Sequence, residues 1–248
     1  MDNYKKILNL GCFTRNELAN LVGNEKTADS IIYQQQRAGN LLKVRRNLYV
    51  ALDPSTNEPL WNSYEISSKI NGHCWVSHHS ALELHGLANQ VFNDIYVSSQ
   101  KRFSKFIYDN KEYQFVYSKF DDGVVHMGNN RVSNLERTML DCINDIDKSG
   151  GLEELMKSFD LISYCETTKL LKYLNSFNSK FLWQKCGYLL SHFTNLKLDK
   201  DFFDECKKHL PKTKNKLQYG DTNNKYVYNN VWNLYVPYDR ESLYEQRI

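Results

Sequence analysis

Residues 14–52, with the sequence TRNELANLVGNEKTADSIIYQQQRAGNLLKVRRNLYVAL, decide the fold of the N-terminal part of the chain. They contain two short helical patterns, each followed by a glycine, and two strand-like runs joined by a basic turn. Helix, turn, helix and hairpin in this order are the parts of a winged helix-turn-helix. The sequence therefore predicts a DNA-binding module over residues 1–52.

The first helix of this pair has a clear start and end. Thr14 and Glu17 have the spacing of a capping box, in which each side chain satisfies a backbone N–H at the start of the helix. Gly23 can adopt the left-handed conformation that ends a helix. We expect the intervening apolar residues to pack on a preceding helix over about residues 3–10.

A second helix is predicted from about Lys26 to Ala38. At about 100° per residue, its apolar residues fall on one side and a narrow polar stripe falls opposite. Hydroxyls, amides and cations are the groups that contact base edges and phosphates in a major groove. The predicted contact residues of this helix are Lys26, Thr27, Ser30, Tyr33, Gln34 and Arg37.

Two strands, Leu41–Val44 and Leu48–Val50, are predicted around a basic turn. Adjacent arginines at a hairpin tip suit a phosphate or a minor groove. They also suit a solvated turn, since most charge runs are only that. Because they follow a helix-turn-helix pattern, we expect Arg45 and Arg46, assisted by Lys43, to contact DNA. A protein partner for the same surface stays open.

Charge is unevenly distributed along the chain, whose net charge is +3 at pH 7. Residues 1–52 hold eight Lys and Arg against four Asp and Glu, a balance of +4. The remaining residues hold 24 against 25, a balance of −1. A basic N-terminal module on a near-neutral body predicts nucleic-acid contact at that end.

Composition also indicates the compartment. No run in the sequence approaches the ~18 apolar residues that a membrane span needs, and the N-terminus lacks a signal-peptide core. The six cysteines occur singly, without a paired spacing. We therefore expect a cytoplasmic protein with no disulfides and no membrane partner.

Residues 53–59, DPSTNEP, hold two of the four prolines and are the predicted linker. Beyond it we predict one domain over residues 60–248. Its α/β middle, about 60–146, starts with a helix at Trp61–Ile70 and contains an antiparallel sheet. Residues 150–248 are mainly helical in pattern. The expected fold class is α+β, a winged helix-turn-helix followed by a mixed α/β domain with a mostly helical C-terminal part.

One cluster with possible chemistry is rich in histidine. It comprises His73, Cys74, His78, His79 and His85. Neither an H-E-x-x-H nor a paired-cysteine spacing is present, so we expect hydrogen-bonded structural histidines and no metal.

A second cluster holds Glu136, Arg137 and Asp141 on one predicted helix. Arg137 and Asp141 are four residues apart and are expected to pair along the surface. If they face inward with Arg131, they form a buried charged cluster or a binding site, and we include His85 among its candidate residues. We favour the structural role, because no nucleophile or phosphate-binding loop accompanies them. No catalytic residue and no cofactor are predicted.

Several motifs together resemble the AbiEi family, the antitoxins of AbiE abortive-infection, type IV toxin–antitoxin systems. The motifs are VRRNLYV at Val44–Val50, SxxSALxxHGL at Ser77–Leu87, VSNLERTMLDCI at Val132–Ile143, GGL at Gly150–Leu152 and KCGYLL at Lys185–Leu190. The resemblance extends from the N-terminal module to about residue 193.

The resemblance implies two activities in one chain. The winged helix is expected to bind inverted repeats in the operon's own promoter and to repress transcription. The C-terminal domain is expected to counteract a nucleotidyltransferase-like toxin encoded alongside, without a stable complex. Two alternatives stay open: a stand-alone regulator with a ligand-sensing or dimerising C-terminal domain, and an enzyme that modifies the toxin or its target.

Overall fold

A computed structural model describes residues 3–218 and 225–237 of the chain. The fold class is α+β, with ten α-helices and three sheets in these residues. The chain divides into two units. The first unit comprises Met1–Ser80 and Phe92–Ser133, and the second comprises Ala81–Val91 and Asn134–Ile248.

The first unit begins with helices and strands in the predicted order. The capping box of Thr14 and Glu17 is present, and Gly23 ends its helix at φ 74°. Asn24 caps the next helix by accepting the N–H of Thr27. The elements are α1 (Asn3–Leu10), β1 (Cys12–Thr14), α2 (Arg15–Val22), α3 (Glu25–Arg37), β2 (Leu41–Arg45) and β3 (Leu48–Ala51).

Strands β1, β3 and β2 form an antiparallel sheet that is buried on both faces. One face packs on the three helices and includes Phe13, Leu41 and Ala51. The other face packs on residues from the rest of the unit, such as Ile95 and Tyr113. Its buried residues are Cys12, Val44, Leu48 and Val50. Residues 12–51 therefore share a hydrophobic core with residues beyond position 60.

The predicted linker is an ordered turn, and neither boundary between the two units falls in it. The side chain of Asp53 accepts the backbone N–H groups of Ser55 and Thr56. The backbone N–H of Leu60 then donates to the carbonyl of Ala51 at 2.9 Å. Residues 53–59 therefore return the chain to the same core.

A six-stranded sheet forms the rest of the first unit, in the order β6-β7-β5-β4-β9-β8. Its elements are α4 (Ser63–Ser67), β4 (Trp75–Val76), α5 (His78–Leu84), β5 (Asp94–Ser99), β6 (Phe106–Tyr108), β7 (Lys111–Tyr117), β8 (Val124–Met127) and β9 (Asn130–Ser133). Helix α5 begins in the first unit, and its residues from Ala81 onward belong to the second unit.

Two expectations for this region are wrong. The sheet is mixed, because β5 pairs with β7 and β4 with β9 in parallel. Alternation of apolar and polar residues indicates a half-buried strand but not its direction. The predicted helix Trp61–Ile70 is limited to Ser63–Ser67, because Asn62 accepts the N–H groups of Tyr64 and Glu65 and so starts the helix later.

The second unit is mainly helical. Asn134 caps its first helix by accepting the N–H of Arg137. A core around Met139, Leu155 and Leu189 joins the helices. The elements are α6 (Leu135–Asn144), α7 (Leu152–Asp160), α8 (Thr167–Phe177), α9 (Lys180–Leu190), α10 (Lys200–Lys208) and the strands β10 (Asn215–Lys216), β11 (Tyr226–Asn229) and β12 (Leu234–Pro237).

Candidate nucleic-acid interface

Helix α3 presents a polar face to solvent. Its apolar residues Ala28, Ile31 and Ile32 are buried against the neighbouring helices and sheet. All six side chains predicted to contact DNA lie on the exposed side of the same helix. These are Lys26, Thr27, Ser30, Tyr33, Gln34 and Arg37. The predicted stripe is therefore a solvent-facing surface along the whole length of α3.

The side chains of this face make only long contacts with one another. Gln34 Nε2 lies 3.4 Å from Ser30 Oγ. Arg37 Nη1 lies 3.5 Å from the Tyr33 hydroxyl, and the guanidinium carbon is 5.8 Å from the centre of that ring. Hydrogen bonds this long are weak. The polar groups are therefore available to a partner with little loss of internal contacts.

The two acidic residues of α3 are balanced by a cation from α2. Arg15 Nε and Nη2 donate to the two carboxylate oxygens of Asp29 at 2.6 and 2.7 Å. Arg15 Nη1 donates to Glu25 at 3.2 Å. Hydrogen bonds from Arg15 lower the pKa of Asp29. The arrangement offsets negative charge that would repel a polyanion, and it links the N-terminal ends of α2 and α3.

At the β2–β3 hairpin, the two arginines predicted to act together lie in different environments. Arg46 and Asn47 form the turn, with Asn47 at φ 66°, and both are exposed. Lys43 is exposed on β2, whereas Arg45 is half-buried. The hairpin tip therefore presents the exposed Arg46, with Lys43 behind it.

Arg45 lies against two aromatic rings of the same unit. Its guanidinium carbon is 4.8 Å from the centre of the Phe106 ring and 5.7 Å from that of Phe103. Burial lowers the pKa of this guanidinium, which still keeps its charge at neutral pH. Contacts of this kind stabilise a cation by about 0.5–2 kcal/mol. Arg45 therefore supports the base of the hairpin.

The Arg137–Asp141 pair is buried, contrary to the surface pairing expected from its spacing. Arg137 Nε donates to Asp141 Oδ1 at 2.9 Å, and the side chains are only 1% and 5% exposed. The Phe177 ring covers the guanidinium at 4.9 Å. Both groups face the interior because α6 is buried from Glu136 to Ile143. The geometry is that of an internal ion pair.

The other members of this predicted cluster have separate roles. Glu136 Oε1 accepts the backbone N–H of Glu166 at 3.0 Å, ahead of α8. Arg131 belongs to the first unit, where its guanidinium contacts the Gly72 carbonyl at 3.4 Å and Asp121 at 3.9 Å. His85 is half-buried at the end of α5. Glu136 and Arg131 are therefore held by local contacts of their own.

Among the histidines predicted to be structural, His78 and His79 are buried and His73 is exposed. His79 stacks edge-on against Phe92, with centroids 4.5 Å apart, and the buried His78 Nδ1 lies 2.9 Å from Ser77 Oγ. His73 Nε2 lies 3.1 Å from Lys101 Nζ. In residues 3–218 and 225–237, no group of three or more His, Cys, Asp or Glu side chains has a metal-binding arrangement.

All six cysteines are buried free thiols. Burial raises the pKa of Cys12 to about 12 and that of Cys74 to about 11. At neutral pH these thiols are protonated, and a protonated thiol is a poor nucleophile. Their role in the described part of the chain is that of small apolar side chains.

Fold and surface together define an α+β protein whose N-terminal part exposes a polar helix beside a basic hairpin. None of its described helices is both long and apolar enough to traverse a bilayer. No protein-family model and no curated protein matches the chain. Its structure is similar to the crystal structure of the RV2827C protein from Mycobacterium tuberculosis, with a TM-score of 0.65 and 14% sequence identity over 95% of this chain and 92% of that one. At this identity the similarity is one of fold.

Proposed function

We propose that residues 3–52 are a winged helix-turn-helix that binds duplex DNA. The observation that carries the proposal is the exposed polar face of α3, opposite the buried Ala28, Ile31 and Ile32. In this arrangement α3 lies in the major groove and the β2–β3 hairpin is the wing. Arg46 at its tip contacts a phosphate or the minor groove, with help from Lys43.

Each type of side chain on α3 has a matching group on DNA. Gln34 suits the N6 and N7 edge of adenine, and Arg37 suits guanine or a phosphate. Ser30 and Thr27 offer hydroxyls that bond either bases or the backbone. The proposal assigns Arg45 no direct contact, because its guanidinium is held against Phe103 and Phe106.

The biological role that we propose comes from the resemblance to AbiEi antitoxins. The chain binds inverted repeats in its own promoter, represses the operon, and opposes a nucleotidyltransferase-like toxin through residues 60–248. This second activity rests on sequence motifs alone. The motif around Val132–Ile143 includes the buried Arg137 and Asp141, to which we assign a structural role.

The DNA-binding proposal is tested by selecting duplexes from a random pool with the full chain. We expect a recurrent sequence, referred to below as the selected duplex, with an affinity well above that for a scrambled duplex. A related sequence is expected upstream of the chain's own gene. If no sequence is enriched over several rounds, the DNA-binding proposal is wrong.

The antitoxin proposal needs a separate test, in which the full chain is co-expressed with the product of the adjacent gene. Restored growth supports it. A variant without sequence-specific DNA binding, such as Gln34→Ala combined with Arg37→Ala, is expected to restore growth equally when expressed from an independent promoter. If growth stays arrested although the full chain is present at normal levels, the antitoxin proposal is wrong. The chain is then a regulator without antitoxin activity, which is the alternative given above.

A further inference from the structure

The loop between β5 and β6, residues 100–105, has the sequence QKRFSK and is called the basic loop here. Lys101, Arg102 and Lys105 are exposed, whereas Phe103 between them is 6% exposed. An apolar anchor flanked by exposed cations holds those cations close to whatever the anchor contacts. The neighbour of Phe103 therefore decides what the loop can do.

That neighbour is the base of the hairpin assigned as the wing. The ring of Phe103 lies 5.7 Å from the guanidinium carbon of Arg45, and Phe106 at the end of the loop lies 4.8 Å from it. Arg102 immediately precedes Phe103, which contacts the wing, and the Cα atoms of consecutive residues are about 3.8 Å apart. Arg46 is likewise one step from Arg45. The basic loop and the hairpin tip are adjacent.

The basic loop is held in place at its start and at Phe103. Asn71 Nδ2 donates to the Lys101 carbonyl at 2.8 Å and to Ser99 Oγ at 3.2 Å. The backbone N–H of Lys101 donates to Ser99 Oγ at 3.1 Å. Phe103 also contacts Phe115 edge-on at 5.3 Å. Because the loop is already ordered, it loses little conformational entropy when it binds.

Two of its three cations are not neutralised. Lys105 pairs with Glu112 at 2.8 Å. Lys101 has His73 as its polar neighbour, and neither Lys101 nor Arg102 has an acidic side chain within ion-pairing distance in the described part of the chain. Together with Arg46 and Lys43, they place four exposed cations around one hairpin. Such a ridge is complementary to a nucleic-acid backbone.

We propose that the basic loop is a second DNA-contacting element, which binds phosphates beside the wing through Lys101 and Arg102. This inference rests on the proposed DNA-binding function and extends its footprint beyond residues 3–52. Phosphate contacts carry no sequence information, so the loop adds affinity without changing which sequence is preferred.

The test uses the full chain with Lys101→Ala and Arg102→Ala together, titrated with the selected and scrambled duplexes between 50 and 200 mM salt. Loss of two phosphate contacts is expected to lower the salt slope by about 1.8. Affinity falls between 50 and 200 mM salt for both proteins, and the factor by which it falls is expected to be about 12 times smaller for the variant than for the wild type. Affinity for the two duplexes is expected to fall by the same factor. The single variant Arg102→Lys, which keeps the charge, is expected to keep the slope.

The matched control is Lys200→Ala with Lys212→Ala, which removes the same charge from exposed positions of the second unit. It is expected to leave the slope unchanged, and an equal drop in the control overturns the specific role of the basic loop. If the wild-type chain prefers its selected duplex but the loop variant keeps the wild-type salt slope, the inference about the basic loop is wrong and the proposed DNA binding stands. A wild-type chain that prefers no duplex overturns the proposed function as well.

Discussion

Helices α3 and α6 contain similar residues and use them in opposite ways. Each has an arginine four positions from a polar partner, Tyr33 with Arg37 in α3 and Arg137 with Asp141 in α6. In α3 the pair is exposed and 3.5 Å apart, whereas in α6 it is almost fully buried and 2.9 Å apart. The two pairs therefore differ both in burial and in the partner of the arginine, which is a neutral hydroxyl in α3 and a carboxylate in α6.

The energetic consequences of the two arrangements differ accordingly. The contact between Arg37 and the Tyr33 hydroxyl is a long, weak hydrogen bond, so α3 can exchange its internal contacts for contacts with a partner. A buried ion pair whose partner is removed leaves an uncompensated charge, which costs about 3–5 kcal/mol. We therefore expect substitutions in α3 to change binding and substitutions in α6 to change stability.

The largest expected effect concerns the sheet that supports α3. A fragment of residues 1–52 exposes the second apolar face of that sheet, which includes Val44, Leu48 and Val50. We expect no cooperative thermal transition in this fragment by circular dichroism, whereas the full chain has one. A fragment that unfolds cooperatively would mean that the contacts beyond residue 60 are dispensable, and that residues 53–59 are a true linker.

The next effect separates the two helices directly. Arg137→Ala and Asp141→Ala are each expected to lower the free energy of unfolding by about 3–5 kcal/mol, because each leaves a buried charge without its partner. The matched change Arg37→Ala is expected to alter it by less than about 0.5 kcal/mol. Chemical denaturation measures all three. Equal effects at positions 37 and 137 would remove the contrast between the helices.

The converse experiment measures binding. Gln34→Ala and Arg37→Ala are each expected to weaken binding to the selected duplex by about 1–3 kcal/mol, because each removes a base or phosphate contact. Fluorescence anisotropy of labelled duplex reports this change. Gln36→Ala is a suitable control, since Gln36 is exposed on α3 but lies outside the predicted stripe. If Gln36→Ala has the same effect, a different face of α3 binds the partner.

The smallest effect concerns a buried titratable group in the second unit. Burial lowers the pKa of His192 from 6.5 to about 4, so the folded chain keeps it neutral while the unfolded chain protonates it. Stability is therefore lost as pH falls from about 6.5 towards 4, by about 1 kcal/mol at pH 5 after allowance for partial exposure. His192→Gln is expected to reduce this loss in pH-dependent denaturation. Identical pH profiles for wild type and His192→Gln would contradict it.

The helix ends of the N-terminal part could be predicted from the sequence because they depend on neighbouring residues. Thr14 with Glu17, and then Gly23, marked helix ends that the structure has at those positions. The polar stripe of α3 followed from its period alone. These predictions needed no knowledge of distant contacts.

The sequence is less informative where distant contacts decide the outcome. Nothing near Arg45 in sequence indicates that Phe103 and Phe106 will cover it, and so the two arginines of the hairpin looked equivalent. Strand directions in the six-stranded sheet depend on which strands meet, which alternation of residues does not encode. The Arg137–Asp141 spacing was read correctly as a pair, but its burial depends on helices that follow in the chain.

The most direct test of the account compares the full chain with the triple variant Ser30→Ala, Gln34→Ala and Arg37→Ala, using the selected and the scrambled duplex at one salt concentration. If the exposed face of α3 contacts base edges, the preference for the selected duplex collapses in the variant, while weak binding to both duplexes persists through the hairpin. A triple variant that folds normally and keeps the full preference would contradict the account, because the sequence would then be recognised elsewhere.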